Sequence, residues 1–182
     1  ISISTGNQVL KALKKLGHNA EKILIKDDYK KFLGKFREQD LLFNALHGGK
    51  GENGEIQQWM DNNNVKYTGS GATSSALCMD KARSKDFARV IGVRTPRWQL
   101  LSSLNEKIKL QFPFVVKPNN QGSTFGLTVV NNKKELPLAI KTAFQYGEDV
   151  IAEEYIKGRE VTVPILGELV YPILERSEEH TS

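Results

Sequence analysis

The sequence predicts a mixed α/β chain: an open, mostly parallel α/β domain first, then an antiparallel α+β unit. Three observations carry this reading. Over residues 1–78 short apolar runs alternate with segments of helical period, the β-α-β-α order of a parallel layer. Leu41 to Leu46 is a near-continuous apolar run, the mark of a strand buried on both faces. Beyond about residue 95 strand candidates crowd together around one helix, which suits antiparallel pairing better than further crossover units.

Taken in order, Ser4 or Thr5 is expected to cap a helix bearing Val9, Leu10, Leu13 and Leu16, closed by Gly17 in the left-handed region. Lys22 to Ile25 reads as a short strand and Tyr29 to Phe36 as a helix weakened by Gly34. The strand Leu41 to Leu46 runs into the loop His47 to Gly54, which opens a helix through Ile56, Trp59 and Met60. Val65 to Thr68 is another strand, turned by Gly69-Ser70-Gly71 into a helix from Ala72 to Met79. A helix over Lys81 to Ile91 closes at Gly92, and Val93 to Pro96 forms an extended linker. Strands are expected at Phe114 to Lys117, Leu127 to Val130, Val150 to Tyr155, Val161 to Leu166 and Leu169 to Leu174. The helix between them, Leu136 to Tyr146, tolerates Pro137 only in its first turn. A domain boundary is placed at about residues 79–95, separating 1–78 from 79–175.

Composition narrows the function classes. The 182 residues include 26 Lys plus Arg, 21 Asp plus Glu and one Cys, a formal charge of +5. One cysteine excludes an internal disulfide framework and a zinc site of clustered thiolates, pointing to a reducing, cytoplasmic setting. No apolar run reaches the ~20 residues of a membrane helix. The cations are spread along the whole chain, so neither nucleic acid nor a membrane is expected as a partner; a basic site for an anionic substrate explains the excess as well. The chain opens at Ile1, and Arg176 to Ser182 abandon the preceding alternation. That tail reads as a non-native addition resembling adapter read-through, and the chain as a fragment cut at both ends.

Three constellations carry chemistry. The loop Gly49 to Gly54 matches G-x-G-x-x-G between a strand and a helix. Lys50 and Glu52 flank its middle glycine and no acid ends a strand ~20 residues on, so a tight turn is the simpler reading. Even so, His47 and Glu52 would lie where α/β domains bind ligands, at the carboxyl end of a strand. The second constellation, Phe114 to Val130, is strand, loop, strand. Lys117 ends an apolar run and needs an anion to offset its desolvation. Gly122, Ser123, Thr124 and Gly126 offer backbone N–H groups and hydroxyls to phosphate oxygens; a flexible hairpin with a snorkelling lysine is the equal alternative. In the third, Glu153 and Glu160 flank a turn at Gly158. These carboxylates suit ribose hydroxyls and the backbone at Glu154 an adenine edge, with surface charge as the alternative.

In order, His47 to Gly54, Tyr67 to Gly71 leading to Met79-Asp80-Lys81, Val115 to Pro118 with Gly122 to Gly126, and Glu153 to Val163 together resemble the D-alanine–D-alanine ligase family of the ATP-grasp superfamily. The resemblance covers nearly all of residues 1–175. It implies an N-terminal domain over 1–78, an ATP-grasp α+β domain over 79–175 that is incomplete at its C-terminal end, and ligation of two D-alanines through an acyl phosphate, for peptidoglycan precursors. It implies that Lys81 and Lys117 hold ATP phosphates and that the loop with Gly122, Thr124 and Gly126 closes over them. Ser123 would bind the γ-phosphate and, as the catalytic group, orient the substrate. Glu153 and the backbone near Glu154 would meet adenine, Glu160 the ribose, and His47 and Glu52 the D-alanine side. ATP and D-alanine are the small-molecule partners, the resemblance allows a homodimer, and magnesium would be held by acidic residues beyond this chain, so no metal ligand is assigned within it and the fragment itself is expected to be inactive. Thr124 replaces the loop's usual second serine, and Asn53 stands where an aspartate is common. The alternatives are another ATP-grasp carboxylate–amine ligase, or a nucleotide-binding module without ligase activity. Two lysines and a donor-lined lid are suitable equipment for phosphoryl transfer, which needs positioning and charge neutralisation more than a covalent nucleophile.

Overall fold

The computed structural model describes residues 2–25, 28–122 and 124–175. The helices are α1 (Ser2–Lys15), α2 (Leu33–Arg37, continuing a 3-10 turn at Tyr29–Phe32), α3 (Glu55–Asn62), α4 (Ala72–Met79), α5 (Lys81–Val90) and α6 (Leu136–Phe144). Strands β1 (Trp98–Leu101), β2 (Phe114–Pro118), β3 (Thr128–Val130) and β4 (Val150–Glu154) form one antiparallel sheet in the order β1-β4-β2-β3. Beyond it, β5 (Val161–Thr162) pairs with β8 (Leu174–Glu175), and β6 (Ile165–Leu166) with β7 (Leu169–Val170). The suspected tail, Arg176 to Ser182, lies outside the described residues.

The expected parallel sheet is corrected. Among the described residues it amounts to one parallel bridge, Leu42 to Tyr67, in which the Leu42 N–H donates to Lys66 and the Thr68 N–H to Leu42. Burial, which the apolar runs signalled, is satisfied by helices instead of a ladder. Ile23, Ile25, Leu42 and Leu46 pack on a cluster of Tyr29, Phe36, Ile56, Met60 and Val65, with Trp59 edge-on to Tyr29 at 5.2 Å. Local polar bonds compete with pairing as well: the Asn44 N–H donates to Thr68 Oγ1 at 3.2 Å, and the Leu46 N–H to Asn44 Oδ1 at 3.1 Å.

Other boundaries shift for identifiable reasons. Ser4 and Thr5 lie inside α1, which starts at Ser2, because the Ser2 and Thr5 hydroxyls bond His47 instead of capping the helix. Gly17 takes the left-handed conformation expected past the helix end, with φ +86°. The expected strand Val161 to Leu166 is split into β5 and β6 around Val163-Pro164, as a proline within a run predicts. Pro137 does fall in the first turn of α6. Strand β1 was not expected at all.

The four-stranded sheet owns the second core. Leu101, Phe114, Val116, Val130, Val150 and Ala152 pack under Ala139, Ile140 and Ala143 of α6. On β2 burial alternates, with Phe114, Val116 and Pro118 inside and Val115 and Lys117 less so, the period-2 signature of a sheet covered closely on one face. Leu101 is fully buried, so Leu101→Ala should lower the unfolding free energy by about 2–5 kcal/mol. An unchanged urea midpoint would contradict the packing assigned to β1.

Candidate functional site

Strand parity sets which side chains leave the core. In β2, Lys117 is opposite Ile151 and Val115 is opposite Glu153, so Lys117 and Glu153 are diagonal neighbours on the face away from α6. Trp98 of β1 is paired with Glu153 from the other side. Helix α5 supplies further cations, because Lys81 and Lys85 stand four residues apart and share one helical face.

The result is a cluster of three lysines around one carboxylate. Lys117 Nζ bonds Glu153 Oε1, and Lys85 Nζ lies 2.7 Å from Glu153 Oε2. The Lys85 and Glu153 side chains are each only 12% exposed. Burial alone pushes the Glu153 carboxyl upward, but the hydrogen bonds from Lys117 and Lys85 override it and hold the group below the ordinary carboxylate value. Lys81 is shifted down, first by burial and then by the charge of Lys117, against the pull of Glu153 and Asp80. Its ammonium donates to the backbone carbonyls of Asn119 at 3.1 Å and Gln121 at 2.5 Å, tying α5 to the start of the loop after β2.

Asn119 fixes that junction. Its Oδ1 accepts from the Ala82 N–H at 2.9 Å, and its Nδ2 donates to Asp80 Oδ1 at 2.9 Å. Asp80 in turn caps α5 by accepting from the Arg83 N–H. The Asn119 N–H donates to the Asp149 carbonyl ahead of β4. One buried side chain therefore joins helix, loop and sheet.

The loop reaches toward the first half of the chain. A methyl group placed on Gly122 would sit 3.5 Å from Glu52 Oε2. Glu52, Cys78, Met79, Lys81, Gln121 and Gly122 line one open cleft of about 380 Å³. On its far side Glu52 Oε1 is 3.6 Å from His47 Nδ1, while His47 Nε2 contacts Thr5 Oγ1 at 3.0 Å and the His47 N–H donates to Ser2 Oγ. The start of α1, His47, Glu52 and the Gly122 loop thus form a continuous polar line. The Gly49–Gly51 segment is a 3-10 turn whose Gly51 carbonyl accepts from Gln57 Nε2 and Asn44 Nδ2, which supports the tight-turn reading of that motif.

Thr124 is exposed in a turn closed by the Leu127 N–H on its carbonyl. Gly126, at φ +70°, packs so closely that an added Cβ would lie 2.9–3.1 Å from Tyr146 and Pro118. The Glu154 carboxylate takes the Arg97 guanidinium at 2.7 Å, and its N–H donates to the Arg97 carbonyl. The carboxyl is lowered by the bonds from Arg97. Glu160 is exposed just before β5, in a strand pair separate from the four-stranded sheet. Ser123 lies outside the described residues. Sequence reasoning missed Lys85, Asn119 and Arg97. The Lys81–Lys85 spacing was the available signal for the first, since like charges at i and i+4 repel unless an acid lies between them.

The model of the D-ala D-ala ligase C-terminus family matches residues 85–181. D-alanine–D-alanine ligase A of Bacillus cereus is 38% identical over 179 residues, and the Halalkalibacterium halodurans D-alanine–D-alanine ligase 39% over 172. These alignments take in 96% and 92% of this chain but 59% and 56% of those proteins, so the chain spans somewhat over half the length of the relatives it matches. Among solved structures, a Bacillus anthracis D-alanine–D-alanine ligase complexed with ATP superposes with a TM-score of 0.86 at 34% identity, over 98% of this chain and 62% of that one. The VanG D-Ala:D-Ser ligase of Enterococcus faecalis gives 0.69 at 33%, over 79% and 47%.

Because the folded state keeps Glu153 ionised below its usual range, the stabilisation is present above about pH 4.3 and is lost as pH falls through the lowered folded value. Glu153→Gln should therefore flatten the acid limb of a stability–pH curve measured by urea unfolding. An acid limb as steep as in the parent would show that Glu153 does not carry this linkage.

Proposed function

The chain belongs to the D-alanine–D-alanine ligase family, and on that premise we propose that it is the nucleotide-holding part of an ATP-dependent ligase that joins two D-alanines. The observation that carries this is the lysine cluster beside the Gln121–Gly122 loop, which opens on a cleft shared with Glu52. Residues 1–78 supply the D-alanine side and 79–175 the ATP side.

In the proposed reaction the carboxylate of one D-alanine attacks the γ-phosphorus of ATP and ADP leaves. The amine of the second D-alanine then attacks the acyl phosphate, the C–O bond to phosphate breaks, and the dipeptide and phosphate are released. Lys117 and Lys81 neutralise the charge that spreads over the transferring phosphoryl group, the electrostatic part of phosphoryl transfer. The Gly122, Ser123, Thr124 and Gly126 loop covers the intermediate against water, with the Ser123 hydroxyl orienting the substrate. Trp98 and Val115, which flank Glu153 in the sheet register, offer an apolar bed for the adenine; Glu153 and the backbone around Glu154 lie along its edge, and Glu160 serves the ribose. His47 and Glu52 bind the first D-alanine, Glu52 being able to take its ammonium group.

Among the described residues no group of three or more His, Cys, Asp or Glu stands together. They do not fit a magnesium site by themselves, and the proposal assigns the metal, which the family uses with ATP, to acidic residues beyond this span. The product would feed peptidoglycan precursor synthesis in the cytoplasm, and a homodimer is the proposed assembly. No helix among the described residues is long and apolar enough to cross a membrane.

Two measurements test this. ATP titrated into the chain should bind, and Lys117→Ala should weaken binding about 10–100-fold, the value of a hydrogen bond to a charged group; superimposable titrations would remove Lys117 from the site. Supplied with the segments its relatives carry beyond this span, the enzyme should release phosphate from ATP only when D-alanine is present. Release that ignores D-alanine would overturn the ligase assignment.

A further inference from the structure

The three lysines are not equivalent. Lys81 is occupied by the loop carbonyls of Asn119 and Gln121. Lys85 and Lys117 each take a different oxygen of Glu153, from different elements, so either can leave without displacing the other. Lys85 is held in a helix whose first turn is clamped by Asp80 and Asn119, and its side chain is 12% exposed against 19% for Lys117. Lys117 is the more accessible of the two and stands one residue before the end of β2.

We propose that Lys85 is a positioning residue that keeps Glu153 neutralised when Lys117 turns from that carboxylate to the phosphates of a bound nucleotide. This rests on the nucleotide reading above. A polyanion arriving at the cluster draws Lys117 away from Glu153. Without a second cation, that exchange would leave a carboxylate stranded in a sparsely hydrated place and facing new negative charge. With Lys85 in position, the Glu153–Lys85 pair stays neutral and Lys117 offers a full positive charge to the ligand. Lys85 is therefore not itself a phosphate ligand, because its charge is already spent on Glu153 at 2.7 Å.

The charged groups facing Glu153 are Lys117 from β2 and Lys81 and Lys85 from α5; its register partner on β1, Trp98, carries no charge. In Lys85→Met, binding of a nucleotide must then be coupled to protonation of Glu153, since burial favours the neutral carboxyl once its cations are gone.

The test is isothermal calorimetry of the 182-residue chain with ATP, and with inorganic tripolyphosphate as a probe lacking base and sugar. Runs in buffers of different ionisation enthalpy at about pH 7 count the protons taken up. Lys85→Met should weaken both ligands about tenfold, equivalent to about 1.4 kcal/mol, and add up to about one proton to the parent's uptake on binding. Lys85→Arg should restore the parent's affinity and proton count, which a merely structural role for the lysine stem would not do. Should the Met variant fail to fold, Lys85→Gln carries the same expectation with a polar side chain in place. Parent-like affinity and proton uptake in the folded Met or Gln variant overturn the inference while leaving the nucleotide reading intact. A parent chain that binds neither ATP nor tripolyphosphate overturns both.

Discussion

Burying a carboxylate on a sheet face costs several kcal/mol unless cations meet it, and Glu153 meets two, one from its own sheet and one from the helix packed beside it. That constraint organises the second half of the chain. Lys117 can be desolvated at the end of an apolar strand because Glu153 is diagonal to it. Lys85 can face the sheet because the second carboxylate oxygen is open to it, and that ion pair ties α5 to β4. Removing the acid would leave three ammonium groups to repel one another; removing one of its two paired lysines leaves one carboxylate oxygen without its cation. The acid needs at least one of the two cations, and the pair of them leaves the cluster with an excess of positive charge.

The neutral polar junction at Asn119 does for geometry what the ion cluster does for charge. A chain leaving β2 at Pro118 cannot donate from that proline, yet the next residue ties five neighbours at once: Asp80, Lys81, Ala82, Asn120 and Asp149. The loop therefore starts from a fixed point. Lys81 holds it again at Gln121, and only after that does it approach Glu52. The cleft between Glu52 and Lys81 follows from these anchors.

Much of this was legible in the sequence, and the limits have physical causes. The antiparallel hairpin around Lys117 was readable from the apolar run that Lys117 ends, the glycine-rich loop after it and the second apolar run to Val130. The helix carrying Lys81 was readable from Asp80, a strong capping residue, and from Gly92 at its end. His47 and Glu52 were placed in one loop at a strand end, and their side chains stand 3.6 Å apart. The parallel sheet was over-read because apolar runs report burial and not the partner that provides it; around Leu42 and Leu46 that partner is an aromatic cluster. Strand β1 escaped notice because a four-residue segment after a proline has too few positions to show a period. Lys85 and Asn119 escaped because their importance lies in contacts 68 and 37 positions away in the chain, which no local pattern encodes.

The division between rigid and adjustable parts follows from the same packing. Lys117 projects from a strand whose alternate side chains, Phe114 and Val116, are locked under α6, so its backbone cannot follow a ligand and only its side chain can move. The far end of the loop is held differently. Gly126 adopts a left-handed φ of +70° against Pro118 and Tyr146, a conformation and a space that a side chain would oppose. Thr124 and Phe125, just before that glycine, are exposed and have little burial to lose on moving. On the proposed reading, phosphoryl chemistry asks for this combination: cations on a rigid backbone, and a loop cheap enough to move. A loop packed as tightly as β2 would supply the first at the expense of the second.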